Sequence, residues 1–401
     1  MAIRAARSVL CYSGDDIEVI LLDNSDEPVF VPDDLRMDPR LQSVRSSKTL
    51  GMGDNWERGL DVARGHYITY VADKDVLLPG AIDVLLERLR SLETDVVCYR
   101  KGWYFEDRKN VMLYRCDGGF ASYSTAPLLD TWFEDPRHLH SAPMVFNSAV
   151  QRELVNRIRS RTGRFFVGNS PDVCSGMLLS AHLLKYHQLD RMLSVAHGGA
   201  WSMGYAARRF GRNHPNTKAF FAEHGSNPLD LLGLPATLCS AIVEIILAIQ
   251  RDHPSAFGNR TINWIQYLQR AHQEIEEMEV DEATKREEVR LLMTTKCVVP
   301  RSEYFRYIIK TYITRTLARI KTSTFSRIRS GLARMRLLSL TKIVTAALAS
   351  PLRLFASSPR GTGESVVRVK QSWDDRSRIL ISPASSIEQA VELAKVLNPL
   401  A

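Results

Sequence analysis

The chain has 401 residues, of which 45% are hydrophobic and 24% charged, and carries a net charge of +8. At about 150 residues per domain this allows two or three structural units with a sizeable core, and it excludes a disordered or membrane-embedded chain. The charge is local: from Arg301 to Phe355 twelve Lys or Arg stand against one acid, Glu303, a net +11, which leaves the remainder slightly acidic and excludes a nucleic-acid face spread over the whole protein.

Met1 to Asp16 has two early arginines and no apolar run long enough for a signal peptide. Ile17–Leu22 (IEVILL) is a continuous apolar run that predicts a strand buried on both faces, ending in the polar loop Asp23-Asn24-Ser25-Asp26. Met52–Ala63 has apolar positions at helical spacing, and Tyr67–Val71 predicts a second strand. Gly80–Leu92 predicts another helix and Asp95–Tyr99 another strand. Strands alternating with helices imply an α/β sandwich with a largely parallel sheet, in which ligands sit beyond the carboxyl ends of the strands. Asp23-Asn24 and Asp73-Lys74-Asp75 both lie at such ends.

From Arg100 to Arg209 the pattern is irregular, with helices expected at Ser148–Arg159 and Ser175–His187. Beyond Asn213 it is mostly helical: Leu234–Arg251, interrupted by Glu244 and too short to span a bilayer comfortably, then Thr261–Val280 and a charged stretch through Arg290. Pro359–Gly363 reads as a linker, and Ser385-Ser386-Ile387-Glu388 can cap a last helix ending at Leu397. The six cysteines are scattered without a Cys-x-x-Cys pair, as in a reduced, cytosolic chain.

Asp73 and Asp75 are the residue types that hold a divalent cation bridging phosphate oxygens, although an acid-x-acid triplet alone is also an ordinary solvated turn. The stretch GHYITYVADKDVLLPG, after IEVILLDNSDE and NWERGLDVAR, resembles the family 2 glycosyltransferases of the GT-A fold over roughly residues 1–205. The resemblance implies a Rossmann-like nucleotide-diphospho-sugar transferase domain over 1–210; after it the sequence pattern itself gives a helical region (211–300), a basic amphipathic helical region (301–358), and a linker with a terminal helix (359–401). It places Asp23 and Asn24 at the nucleotide base, Asn55 near the donor, and Asp73 and Asp75 at the ribose and a Mn²⁺- or Mg²⁺-bound diphosphate. It makes Asp172, after Pro171 and before a helix, the general base, where the bland alternative is a helix N-cap. His197 and Ser202 fall in what resembles the closing loop of the catalytic domain. His138 and His140, two residues apart and without a third ligand, suit an acceptor pocket or plain structure better than a metal.

Two departures from the family pattern bear on function. Ala2–Leu10 corresponds to the family's first helix, and no counterpart of the strand before it is found. Lys74 occupies the middle of the acidic motif, where an ammonium can neutralise diphosphate charge as a point cation, or can simply point away. The expected activity is transfer of a sugar from a nucleotide diphosphate to a hydroxyl acceptor, with inversion as the family implies. The acceptor class is carbohydrate or lipid-linked, and the competing reading is a catalytically silent scaffold. The basic amphipathic segment 301–355 suits an anionic membrane surface and a location peripheral to the cytoplasmic face, with no nucleic acid expected.

Overall fold

β1 (Val19–Asp23) pairs in parallel with β2 (Leu41–Arg45), Asp23 opposite Arg45, and among the described residues these two strands form a sheet of their own. The computed structural model describes residues 1–136, 142–161, 163–167, 170–199, 206, 209–218, 233–294, 302, 303, 306, 307 and 379–398. α1 (Ala2–Leu10) precedes β1, α2 (Asp33–Arg36) joins the two strands, and α3 (Met52–Val62) packs directly on β1. A Cβ on Gly59 would lie 2.7 Å from Cδ1 of Leu22, so a larger residue there would make the Leu22 side chain shift. Of β1 only Leu21 and Asp23 are buried, which corrects the expectation of a strand buried on both faces.

The larger sheet contains β3 (Tyr67–Ile68), β4 (Val76–Leu77), β5 (Val96–Phe105), β6 (Asn110–Tyr114), β7 (Phe120–Ser124), β8 (Ser148–Gln151), β9 (Lys185–Gly198) and β10 (Ile379–Pro383). β5 and β9 form its spine, running parallel from Val97 opposite His187 to Phe105 opposite Gly198. Its remaining pairings are antiparallel, which corrects the expectation of a largely parallel sheet. One of these pairings is local: after α4 (Ala81–Ser91) and β5 the chain turns back through residues 106–109, with Lys109 at φ 48°, in a hairpin to β6, while the others join strands distant in sequence.

Helices α5 (Ala126–Glu134), α6 (Arg152–Arg159), α7 (Pro171–His182), α8 (Leu238–Asp252), α9 (Trp264–Glu277), α10 (Glu282–Thr294) and α11 (Ile387–Leu397) complete the described elements. Leu85 and Leu89 of α4 and Ile387, Ala390 and Ala394 of α11 share one apolar core with Val97, Val111, Leu189 and Val195 of the sheet. The last helix starts as its sequence suggests: Ser386 Oγ accepts from Gln389 N–H while Gln389 Oε1 accepts from Ser385 N–H, a reciprocal cap.

Two helices are displaced from their expected positions. Ser148–Gln151 is a strand, because its small and β-branched residues slot between β5 and β3, although Val150, Leu154 and Ile158 carry a helical period across it. The helix expected at Ser175–His187 starts earlier, with Pro171 in its first turn, and ends at His182, so His187 belongs to β9. The strand expected over Tyr67–Val71 shortens to two residues, since Tyr70 N–H turns to the Val145 carbonyl at 2.8 Å. Residues 379–398 return to the sheet, β10 pairing with β6. Among the described residues no helix is long and apolar enough to cross a membrane.

Candidate active site

The acidic triplet lies in the turn that carries the chain from β3 to β4, closed by Asp75 N–H donating to the Ala72 carbonyl at 2.9 Å. The turn separates its three side chains. Asp73 is exposed, Lys74 half-buried, and Asp75 buried. Asp75 forms an ion pair with the Nζ of Lys101, a buried lysine on β5 that also sits 4.3 Å from the centroid of the Phe146 ring. α1 braces the far side of β4, where Ser8 Oγ accepts from Leu77 N–H at 3.1 Å.

Asp23 ends β1 with its carboxylate fully engaged. It accepts from Ser25 N–H, Ser25 Oγ, Val29 N–H at 3.0 Å and Arg45 Nη1 at 2.8 Å. Burial opposes ionisation here, but these donors hold the carboxyl far below the usual carboxylate range. Asn24 uses both ends of its amide on Leu50, donating to the carbonyl at 2.8 Å and accepting from the N–H at 2.9 Å, which fixes the loop to the start of α3. Asn55, on α3, accepts from Arg58 at 2.7 Å.

Asp172 stands in the first turn of α7, after Pro171. Burial pushes its carboxyl above the ordinary value, while the first N–H groups of the helix, Lys101 and Lys74 pull the other way. The segment before it is held firmly. Glu57 of α3 accepts from the N–H groups of both Phe165 and Phe166 and pairs with Arg159 at 2.9 Å. Phe166 meets Trp56 and Tyr70 edge-on, and those two rings stack with centroids 4.6 Å apart.

Asp23, Asn24, Asn55, Asp73, Lys74, Asp75 and Asp172 all line one cavity of about 1510 Å³. It runs from the acidic turn down between β1 and β3, with a largely apolar wall that includes Ile20, Leu22, Ile68 and Leu85. His197, at the end of β9, lines it too, 3.3 Å from Glu106 and 3.5 Å from Arg4, and burial lowers its basicity although Glu106 opposes this. Ser202, His138 and His140 lie outside the described residues, as does nearly all of 301–355.

Two lining residues were not singled out from sequence. Lys101 lies beyond the strand expected to end at Tyr99, so nothing announced that it reaches Asp75. Glu244 was visible only as an interruption of an apolar helix. It is buried where α8 packs on α7, it lines the cavity, and among the described residues its carboxyl has no hydrogen-bond partner. Burial raises its pKa from 4.5 to about 7. The folded state therefore binds this proton more tightly than the unfolded state, so the contribution to stability is full below pH 4.5 and is lost as pH rises through about 7. Chemical denaturation should show a fall on the order of 3 kcal/mol across that window. Glu244→Gln should flatten it, and an unchanged pH profile in the variant would assign the slope to other groups.

Residues 2–167 match the family model described as Glycosyl transferase family 2. This segment is a family 2 glycosyltransferase domain. The chain is also 35% identical over 88 residues to the uncharacterized protein MT1568 of Mycobacterium tuberculosis (strain CDC 1551 / Oshkosh). That match covers 21% of this chain and 27% of the relative, so it spans about a quarter of the relative's length. Among solved structures, S. aureus TarS 1–349 is similar at 12% identity, with 69% of this chain and 77% of that one covered and a TM-score of 0.38. The same S. aureus protein in complex with UDP-GlcNAc is similar at 10% identity, with 70% and 78% covered and a TM-score of 0.38.

The glycosyltransferase family match contains the Asp23 loop, α3 and the acidic turn, and ends five residues before Asp172, which the fold brings to the same cavity. The side chains at the acidic turn suit a resident divalent cation poorly. Asp75 is already paired with an internal ammonium, and a second lysine belongs to the triplet itself.

Proposed function

We propose that this protein is a glycosyltransferase that moves a sugar from a nucleoside-diphosphate donor to a hydroxyl of a carbohydrate or lipid-linked acceptor, in a single displacement that inverts the anomeric centre. The observation that carries this reading is the convergence of the Asp23 loop, α3, the acidic turn and the start of α7 on one cavity large enough for a nucleotide sugar. In the step itself the acceptor oxygen attacks the anomeric carbon, and the carbon–oxygen bond to the diphosphate breaks with its electron pair going to the leaving group. Asp172 takes the hydroxyl proton. Its raised pKa suits that task, since a carboxylate of higher basicity removes a hydroxyl proton more effectively. The same feature favours an active enzyme over a silent scaffold, for which a desolvated carboxyl at the cavity wall has no use.

Inversion rests on the family resemblance. Mn²⁺ or Mg²⁺ at Asp73 and Asp75 is the expectation that the Lys101 pairing argues against. Docking of the basic segment 301–355 on an anionic membrane surface rests on its charge alone.

Thermal denaturation of the full chain against a panel of UDP-, GDP-, dTDP- and ADP-sugars tests the reading. At least one donor at a hundredfold excess over its dissociation constant should stabilise the fold by about 2.7 kcal/mol. No stabilisation by any of them, with or without Mn²⁺, would contradict it.

A further inference from the structure

Asp75 and Lys101 are joined across the elements that wall the diphosphate end of the cavity. Both side chains line it, and the Lys101 ammonium is backed by the face of Phe146 at 4.3 Å and the ring of Trp103 at 5.9 Å. A divalent cation bound to Asp75 would have to displace this ammonium and leave it buried without its carboxylate, which is strongly unfavourable. The second lysine, Lys74, lines the same cavity, where burial disfavours its charged form while Asp73 and Asp75 support it. Two lysines, one of them held by a buried carboxylate, therefore line the cavity where a metal-dependent site needs free carboxylates.

We propose that Lys101 and Lys74, in place of a divalent cation, supply the positive charge that binds the donor diphosphate and stabilises it as it departs, with Asp75 acting as the positioning residue that aims the Lys101 ammonium. This rests on the glycosyl-transfer reading. An ammonium offers three donors to phosphate oxygens and needs no proton transfer, because the leaving diphosphate carries its electron pair as an anion and the only proton that moves goes from the acceptor hydroxyl to Asp172. The fixed cations cost no reorganisation when the charge develops.

The test uses the full chain, stripped with EDTA, and inorganic pyrophosphate as the probe in calorimetry. Pyrophosphate should bind the metal-free protein, and added Mn²⁺ should change its affinity by less than about twofold. Lys74→Met should weaken it about ten- to a hundredfold, the loss expected for one charge-assisted contact. Lys101→Met is made together with Asp75→Asn, so that neither partner is left as a lone buried charge, and should weaken it similarly, with circular dichroism showing the fold retained. Pyrophosphate binding that requires Mn²⁺, or that survives both variants, would overturn the lysine assignment. Manganese electron paramagnetic resonance gives a separate readout: the wild type should leave Mn²⁺ free in solution, and a tightly bound signal lost in Asp75→Asn would overturn the proposal. The outcome that contradicts only the glycosyl-transfer reading is a different one, namely metal-free pyrophosphate binding through both lysines with no nucleotide sugar bound or turned over.

Discussion

Asp172→Asn should lower the rate of sugar transfer by about 10²–10⁴-fold while leaving donor affinity within about twofold of wild type. The amide keeps the shape of the side chain and its place at the start of α7, so binding of the donor is spared. It cannot accept the proton of the acceptor hydroxyl, so the loss falls on the chemical step. Because Asp172 must be ionised to act and its carboxyl sits above the ordinary value of 3.8, wild-type kcat/KM should rise with pH along an acid limb displaced upward from that value. The limb should vanish in the variant. Unchanged turnover in Asp172→Asn would remove Asp172 from the role of base.

The second large effect belongs to a residue that never meets the substrate. Glu57→Ala should destabilise the fold by about 4 kcal/mol, since each charge-assisted hydrogen bond contributes about 1.5–3 kcal/mol and two buried N–H groups would be left without an acceptor. Those N–H groups belong to Phe165 and Phe166, upstream of α7, and Arg159 would keep only Asp61 of its two carboxylate partners. The activity of the folded fraction should fall with an unchanged donor affinity, because the Phe165–Phe166 segment upstream of α7 loses its anchor while the acidic turn keeps its own supports. Glu57→Gln, which retains an acceptor oxygen, should recover part of both losses. Denaturant midpoints and single-turnover rates on the same samples separate the two effects. A Glu57→Ala protein as stable as wild type would show that the Phe165–Phe166 segment is held by its aromatic contacts with Trp56 and Tyr70.

What was legible from sequence was the local frame of the site. The strand ending at Asp23, the helix over Met52–Ala63, the acidic turn and the proline before Asp172 each announce themselves through apolar runs and turn residues, and their side chains meet at one cavity. What was not legible depended on long-range pairing. A parallel sheet was the natural inference from alternating strands and helices, yet the hairpin after β5 and the antiparallel return of β9 beside β4 and β7 make the sheet mixed. Lys101 meets Asp75 because β5 runs on to Phe105, six residues past its expected end, and no local pattern encodes where a strand held by pairing on both sides will stop. Glu244 is a further case, since a carboxylate within an apolar helix shows its significance only once α8 is seen to present it to the cavity.

These pairings also change the meaning of the acidic triplet. From sequence, Asp73 and Asp75 look equivalent and Lys74 looks like an intruder. In the fold, Asp73 is exposed, Asp75 is buried against Lys101, and Lys74 is half-buried at the same cavity. One carboxylate thus serves to aim an ammonium.

The most direct measurement is photo-crosslinking of the wild-type chain with an azido-nucleotide sugar that stabilises it, followed by peptide mapping. Label confined to the peptides that carry Asp23–Asn55 and Tyr70–Asp75, and competed away by unmodified donor, is the predicted result. Competable label that maps elsewhere, with these two peptides unmarked, would contradict the placement of the donor in this cavity.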